Sequence, residues 1–319
     1  MKDSVLYYSV GPLLYCPANH TGIAGSVIRE RFGTHYSLSL CLEDTISDNH
    51  VEAAELQLAA TLETLRKASE ETSFFLPRIF VRVRNPEQIA KLLLLFGNAA
   101  FLIDGFIIPK FSLENADFYM EAIRSANRNS EKPVYIMPIL EDPALTDLRI
   151  RQELLYRLKE KLDSMEELVL NIRVGGNDLC HVYGFRRSPK ESIHSIRTIS
   201  DIFSDIIAVF GKNYVVSGPV WEYYRGKNWK KGLKKELKED RLCGFTGKTV
   251  IHPEQIRLVN EAYKVSKKDL ADAKAVLGWD AASPNLVSGC TSGERMNEYK
   301  VHSNWAQRIL LLSEAFGVR

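Results

Sequence analysis

Eight apolar, strand-like runs alternate with helix-like segments through the first 265 residues, and five of them end in charged side chains. Those five are 38–44 (ending Glu43-Asp44), 79–84 (with Arg82 and Arg84), 106–110 (ending Lys110), 134–141 (ending Glu141) and 168–178 (ending Asp178). A parallel strand covered on both faces reads as a nearly continuous apolar run. A charge at its C-terminal end leaves the core for the mouth of the sheet, where α/β enzymes hold their reacting groups. The remaining runs are 12–16, 214–220 and 248–251.

Helix signals fill the gaps. A helix is expected near 22–32. Val51, Ala54, Leu58, Leu62 and Leu65 recur at helical spacing, with Asn49 and Glu52 placed as a capping box. Pro86 suits a first helical position before a Leu-rich stretch to about 96. Further helices are expected over 113–127, 146–165 and 191–210, and Pro253 opens another with Ile256, Val259 and Tyr263. Eight strands alternating with helices predict an α/β fold, a closed (β/α)8 TIM barrel. A doubly wound open sheet is the alternative. It would carry a Gly-rich phosphate fingerprint after its first strand, and Cys16-Pro-Ala-Asn-His-Thr-Gly22 is not one.

The strand rhythm stops near residue 265. Ser266 and Asp269 mark a helix start running to Leu277, a Gly/Ser/Pro-rich stretch covers 281–293, and a last helix is expected from Glu294 to Phe316. The prediction is a catalytic barrel over 1–265 with a C-terminal helical extension or lid over 266–319.

Charge and cysteine content narrow the function classes. Lys and Arg number 42 against 40 Asp and Glu, so net charge calls for neither nucleic acid nor an anionic membrane. The most apolar region, 92–108, is broken by Gly97-Asn98 and Asp104-Gly105, and a membrane span needs about 20 apolar residues. The opening residues make a poor signal peptide. Five cysteines, with no C-x-x-C pair, suit a reducing cytosol better than a disulfide framework or a cysteine zinc site.

Each charged strand ending has a functional reading and a structural one. Glu141 and Asp178, on adjacent strands, suit Mg²⁺ with water and substrate completing an octahedron; otherwise they cap the helices that follow. Arg82 lies within its strand and shares a face with Arg84. It either binds an anionic substrate through its planar fork or pairs with Glu43 or Asp44. Glu43 and Asp44 hold metal-bound waters or pair with Arg82. Lys110 reads as an electrostatic or structural group in preference to a Schiff-base lysine. His252 reads as a helix cap, and His20 stands in a loop with no assigned role. The lysines between Arg225 and Lys238 read as a solvated face.

Together these residues resemble a known superfamily, the citrate lyase beta-subunit and HpcH/HpaI-type aldolase group. The matching segments are Leu14-Tyr-Cys-Pro17, Cys41-Leu-Glu-Asp44, Val81-Arg-Val83, Ile108-Pro-Lys110, Ile139-Leu-Glu141, Gly175-Gly-Asn-Asp-Leu179 and Gly244-Phe-Thr-Gly-Lys-Thr-Val-Ile-His-Pro-Glu-Gln-Ile256. The resemblance implies a TIM barrel that makes or breaks a carbon–carbon bond beside a carboxylate, through a metal-stabilised enolate. It implies Mg²⁺ held by Glu141 and Asp178. It further implies Arg82 as the catalytic and substrate-binding cation, supported by Glu43, Asp44 and Lys110. Relatives are commonly trimers, so a homo-oligomer is expected by analogy. Arg84 stands where the group usually has Asn, which predicts a second pocket cation and a more anionic substrate, phosphate among its options. Cys41 replaces the group's first Asp. The stretch 287–298 has no Asp matching the lid acid of malyl-CoA lyases, which weighs against coenzyme A thioesters. The whole looks like a divergent branch similar to citrate-lyase-like proteins of tellurite-resistance and stress gene clusters. A malyl- or citramalyl-CoA lyase and an inactive barrel serving as a binding partner are the competing expectations.

Overall fold

The computed structural model describes residues 2–128, 130–290 and 293–319. Its centre is a ring of eight parallel strands: β1 (Pro12–Pro17), β2 (Ser37–Cys41), β3 (Arg78–Arg82), β4 (Ile103–Ile108), β5 (Tyr135–Leu140), β6 (Ile172–Val174), β7 (Val216–Ser217) and β8 (Lys248–Val250). Neighbours in sequence are neighbours in space, and β8 returns to pair with β1. A parallel bridge from Gly218 to Lys248 joins β7 to β8 and closes the ring.

The period-two pattern of the strands explains the closure. Leu14, Leu38, Leu40, Val81, Phe106, Ile136 and Val174 point outward into one core shared with the helices. Leu13, Phe80, Ile107, Met137 and Ile139 point inward and fill the barrel's lower interior. Helices α1 (Val5–Tyr8), α2 (Ile23–Ile28), α3 (Val51–Glu71), α4 (Glu87–Phe96), α5 (Ala116–Arg128), α6 (Arg151–Asp163), α7 (Gly176–Val182), α8 (Arg197–Phe210), α9 (Trp229–Leu242) and α10 (Pro253–Tyr263) accompany the ring. The expected (β/α)8 barrel is therefore present.

Several local expectations are corrected. The 22–32 helix is confined to Ile23–Ile28. The Asn49–Glu52 capping box does not form, because a 3₁₀ turn over Asp48–His50 leads straight into α3, and Asp48 turns to Arg84 instead. The seventh strand shrinks to two residues, since Gly218 and Pro219 follow at once.

The C-terminal extension comprises α11 (Lys267–Leu277), an antiparallel pair β9 (Val287–Gly289) and β10 (Met296–Glu298), and α12 (Tyr299–Phe316). Ser266 caps α11 as expected. The last helix was expected from Glu294, but 296–298 form a strand. Arg295 anchors that hairpin to α11 through Asp269 (2.8 Å) and Asp272 (Nε–Oδ2 2.7 Å). Thr291 and Ser292, within the stretch compared with a lid segment, lie outside the described residues. Arg308 on α12 donates to the Gly244 carbonyl, and Phe316 lies against Gly11; both residues precede strands at the N-terminal end of the barrel. The described part of the extension therefore packs against the N-terminal end of the barrel.

Candidate active site

The C-terminal ends of β2 to β5 bring four of the five predicted strand endings into one cluster, and the fifth, Asp178 after β6, stands beside Glu141. Arg82, the last residue of β3, is buried, and its Nη2 lies 2.8 Å from Glu43 Oε2, 3.0 Å from Asp44 Oδ2 and 3.4 Å from Glu141 Oε1. Lys110 closes the group from β4. Its Nζ lies 2.7 Å from Glu43 Oε1 and 3.4 Å from Asp44 Oδ1, and its backbone N–H donates to Glu141 Oε1 at 2.9 Å. Lys110 reaches this double contact with φ of +49°, the left-handed region that costs an ordinary residue about 1–2 kcal/mol.

Glu141 is the pivot. It is 3% exposed and directly follows β5. Burial pushes its carboxyl up to about 8 against the opposing pull of Arg82, and the Asp178 carboxyl beside it adds to the push. Gly175, after β6, makes this position available. A methyl there would overlap Glu141 Oε2 and Cβ and would lie 2.9 Å from Cδ. Gly176 performs a similar service one residue on, where a Cβ would meet Pro219 at 2.8 Å, so α7 packs close and presents Asp178 in its first turn.

The remaining shifts follow from the same cluster. Burial pushes the Asp44 carboxyl up, but Arg82 and Lys110 outweigh it and hold it below the usual range. The hydrogen bond to Glu43 raises the Lys110 ammonium, with Asp44 adding to it. A Schiff-base lysine needs the opposite shift.

Arg84 is elsewhere. Its guanidinium donates to the carbonyls of Leu42 (3.2 Å), Glu43 (3.4 Å) and Ile46 (2.9 Å) and pairs with Asp48. The expected second pocket cation instead laces the loop between β2 and α3, because β3 ends at Arg82 and strand alternation no longer applies two residues later. His252 caps α10, accepting from the Glu254 N–H. His20 accepts from the Gly22 N–H in an exposed turn, and the α9 lysines 230, 231, 234, 235 and 238 are exposed.

Two buried features escaped sequence reasoning. Lys248, at the start of β8, is wholly buried and bridges Glu236 (2.9 Å) and Asp240 (2.7 Å) of α9. Arg173 projects from β6 into the barrel interior, 2% exposed, beside Asn171, Thr249 and Tyr15. The available signal was the alternation Asn171-Ile-Arg173-Val, polar at both inward positions of an otherwise apolar run.

Among the described residues no group of three or more His, Cys, Asp or Glu side chains forms a metal cluster. The donor set is a pair, Glu141 and Asp178. A hard divalent cation such as Mg²⁺, which keeps several waters and takes one or two carboxylates, fits such a pair. A buried carboxyl pressed against a second one also gains from a cation.

Solved structures of similar shape are citrate lyases and their relatives. CitE from Mycobacterium tuberculosis, solved with magnesium, acetoacetate and coenzyme A, shares 18% identity. That match covers 97% of this chain and 99% of that one, with a TM-score of 0.61. A citrate lyase from Burkholderia xenovorans shares 16% over 97% of this chain and 93% of that one, with a TM-score of 0.70. A citrate lyase beta subunit from M. tuberculosis, complexed with oxaloacetate and magnesium, shares 17% over 81% of this chain and 98% of that one, with a TM-score of 0.52. At these identities the likeness is one of fold. No curated protein matches the chain in sequence. A family model described as C-C bond lyase of the TIM-barrel fold matches residues 4–318. The chain belongs to the family of TIM-barrel carbon–carbon bond lyases.

Proposed function

We propose that the protein is a Mg²⁺-dependent carbon–carbon lyase or aldolase acting on a small oxo- or hydroxy-carboxylate. The observation that carries this reading is the buried Glu141, set beside Asp178 and beneath Arg82 at the mouth of the barrel. Glu141 and Asp178 would hold the ion, which when bound supplies a Lewis acid for the substrate's carboxylate and neighbouring oxygen. Arg82 presents fixed positive charge where negative charge develops as the carbon–carbon bond breaks. It is preorganised by Glu43 and Asp44, so no reorganisation is needed at the moment of reaction. Lys110 holds Glu43 with its ammonium and Glu141 with its backbone N–H. The magnesium complexes of the M. tuberculosis proteins with oxaloacetate and with acetoacetate support the same substrate class.

An acyl-CoA lyase is the second reading, favoured by the coenzyme A in the CitE complex that spans this chain. The test is cleavage of oxo- and hydroxy-acids, and of malyl- and citramalyl-CoA, with and without Mg²⁺. The expected result is Mg²⁺-dependent turnover of a free acid that Glu141→Ala and Asp178→Ala each abolish. Unchanged turnover in either variant would refute the metal assignment, and turnover of the thioesters alone would select the second reading.

A further inference from the structure

Six cations are buried among the described residues: Lys2, Arg82, Arg151, Arg173, Arg187 and Lys248. Five have a carboxylate partner: Glu166 for Lys2, Glu43 and others for Arg82, Asp205 for Arg151, Glu236 for Arg187, and Glu236 with Asp240 for Lys248. Among the described residues, Arg173 has none. Its guanidinium donates to Asn171 Oδ1 at 3.3 Å and to Thr249 Oγ1 at 2.6 Å, both neutral. Its Nε has no acceptor, and neither has Nδ2 of Asn171 beside it. Buried charges are normally paired, because desolvation costs several kcal/mol per ion. Water can accept from an orphaned N–H, but it cannot balance a charge.

The place of these donors gives the reason to keep them. Arg173 is the central residue of β6, Asn171 immediately precedes that strand, and Gly175, just after it, lies against Glu141. Arg173 thus lies two residues, about 6.6 Å of strand, below the carboxylate proposed to hold the metal. The ends of a short dianionic acid bridge that depth. Tyr15, within β1, stands among Arg173, Arg82 and Glu141, with its hydroxyl beside the Arg173 guanidinium.

We propose that Arg173 and Asn171, with the Tyr15 hydroxyl, bind a second anionic group of the substrate, at the end remote from Glu141 and Asp178. The substrate is then an oxo- or hydroxy-acid with two anionic groups, the second a carboxylate or a phosphate. This selectivity rests on the lyase reading above, whereas the anion site itself does not.

Calorimetric titration of the Mg²⁺-loaded protein with pyruvate, oxaloacetate and 3-phosphohydroxypyruvate tests it, using wild type, Arg173→Met, Arg173→Lys and Glu141→Gln. Wild type should bind at least one dianion well above pyruvate, and whichever dianion is preferred identifies the second group. Arg173→Met should weaken that dianion on the order of tenfold to a hundredfold while moving pyruvate less than about twofold. Arg173→Lys should restore part of the preference. The ligand-free melting temperature of Arg173→Met should rise, because an uncompensated buried charge is gone; a structural arginine would give a fall. Equal weakening of all ligands, no dianion preference in wild type, or a lowered melting temperature with unchanged preference would each overturn the proposal. Glu141→Gln separates the two claims. If it binds all three ligands like wild type, the metal reading fails while the Arg173 comparison still stands.

Discussion

Gly175→Ala is a single-methyl probe of how the barrel builds its metal position. The glycine has φ −92° and ψ 74°, so alanine meets no left-handed strain, and any effect comes from contact. The new Cβ would overlap Glu141 Oε2 and Cβ and stand 2.9 Å from Cδ. Ordinary carbon–oxygen contacts begin near 3.3 Å and carbon–carbon contacts near 3.5 Å. Even the farthest of the three atoms must retreat by roughly 0.6 Å, and the nearer two by more. A rotamer change cannot clear the Cβ, which is fixed to the β5 backbone, so the strand ends must part by roughly 1 Å. Overpacking of this kind costs about 1–3 kcal/mol. A 1 Å displacement of a reacting constellation costs about 100-fold in rate. Urea denaturation, Mg²⁺ calorimetry and turnover would each be measured on the folded variant. The expected outcome is a stability loss in that range with a larger proportional loss of Mg²⁺ affinity and rate. Wild-type Mg²⁺ affinity in Gly175→Ala would refute the claim that this glycine sets the position of Glu141.

Three further outcomes are expected. Without metal, Glu141 keeps its proton up to about pH 8 in the fold but only to about 4.3 when unfolded. The folded state then binds more protons between those values. Metal-free stability falls as pH rises through that window, and Mg²⁺ binding near pH 7 releases a proton and strengthens toward pH 8. Calorimetry in buffers of different ionisation enthalpy detects that release, and its absence would contradict the burial of Glu141. Lys248→Met removes the cation that two buried carboxylates share, leaving Glu236 to Arg187 and Asp240 to His194, and should cost about 3–5 kcal/mol in urea denaturation; a loss under about 1 kcal/mol would contradict it. Arg84→Ala should lower stability by about 1–2 kcal/mol through the lost carbonyl contacts and leave substrate KM unchanged. A several-fold rise in KM would return Arg84 to the pocket.

The barrel was legible because its strands are buried on both faces and its helices carry 3.6-residue periodicity, signals that need no tertiary information. The endings at Glu43, Asp44, Lys110 and Glu141 were legible for the same reason, since each closes an apolar run, and Arg82 was legible as a charge inside one. Arg84 was misplaced because strand alternation was carried two residues beyond the end of β3. The antiparallel pair 287–289 and 296–298 was missed because its three-residue strands are too short to show a period. They are held by Arg295 reaching Asp269 and Asp272, 26 and 23 residues away. Lys248 depends on Glu236 and Asp240 of α9, which no local pattern encodes, whereas Arg173 left a local trace in the polar alternation with Asn171.

The lyase chemistry turns on where a cation sits. The most direct measurement is a crystal structure of the protein grown with Mg²⁺ and oxaloacetate. One ion should be bound by Glu141 and Asp178, with a substrate carboxylate near Arg82. An ion bound elsewhere, or ordered Glu141 and Asp178 side chains facing away from each other with no ion between them, would contradict it.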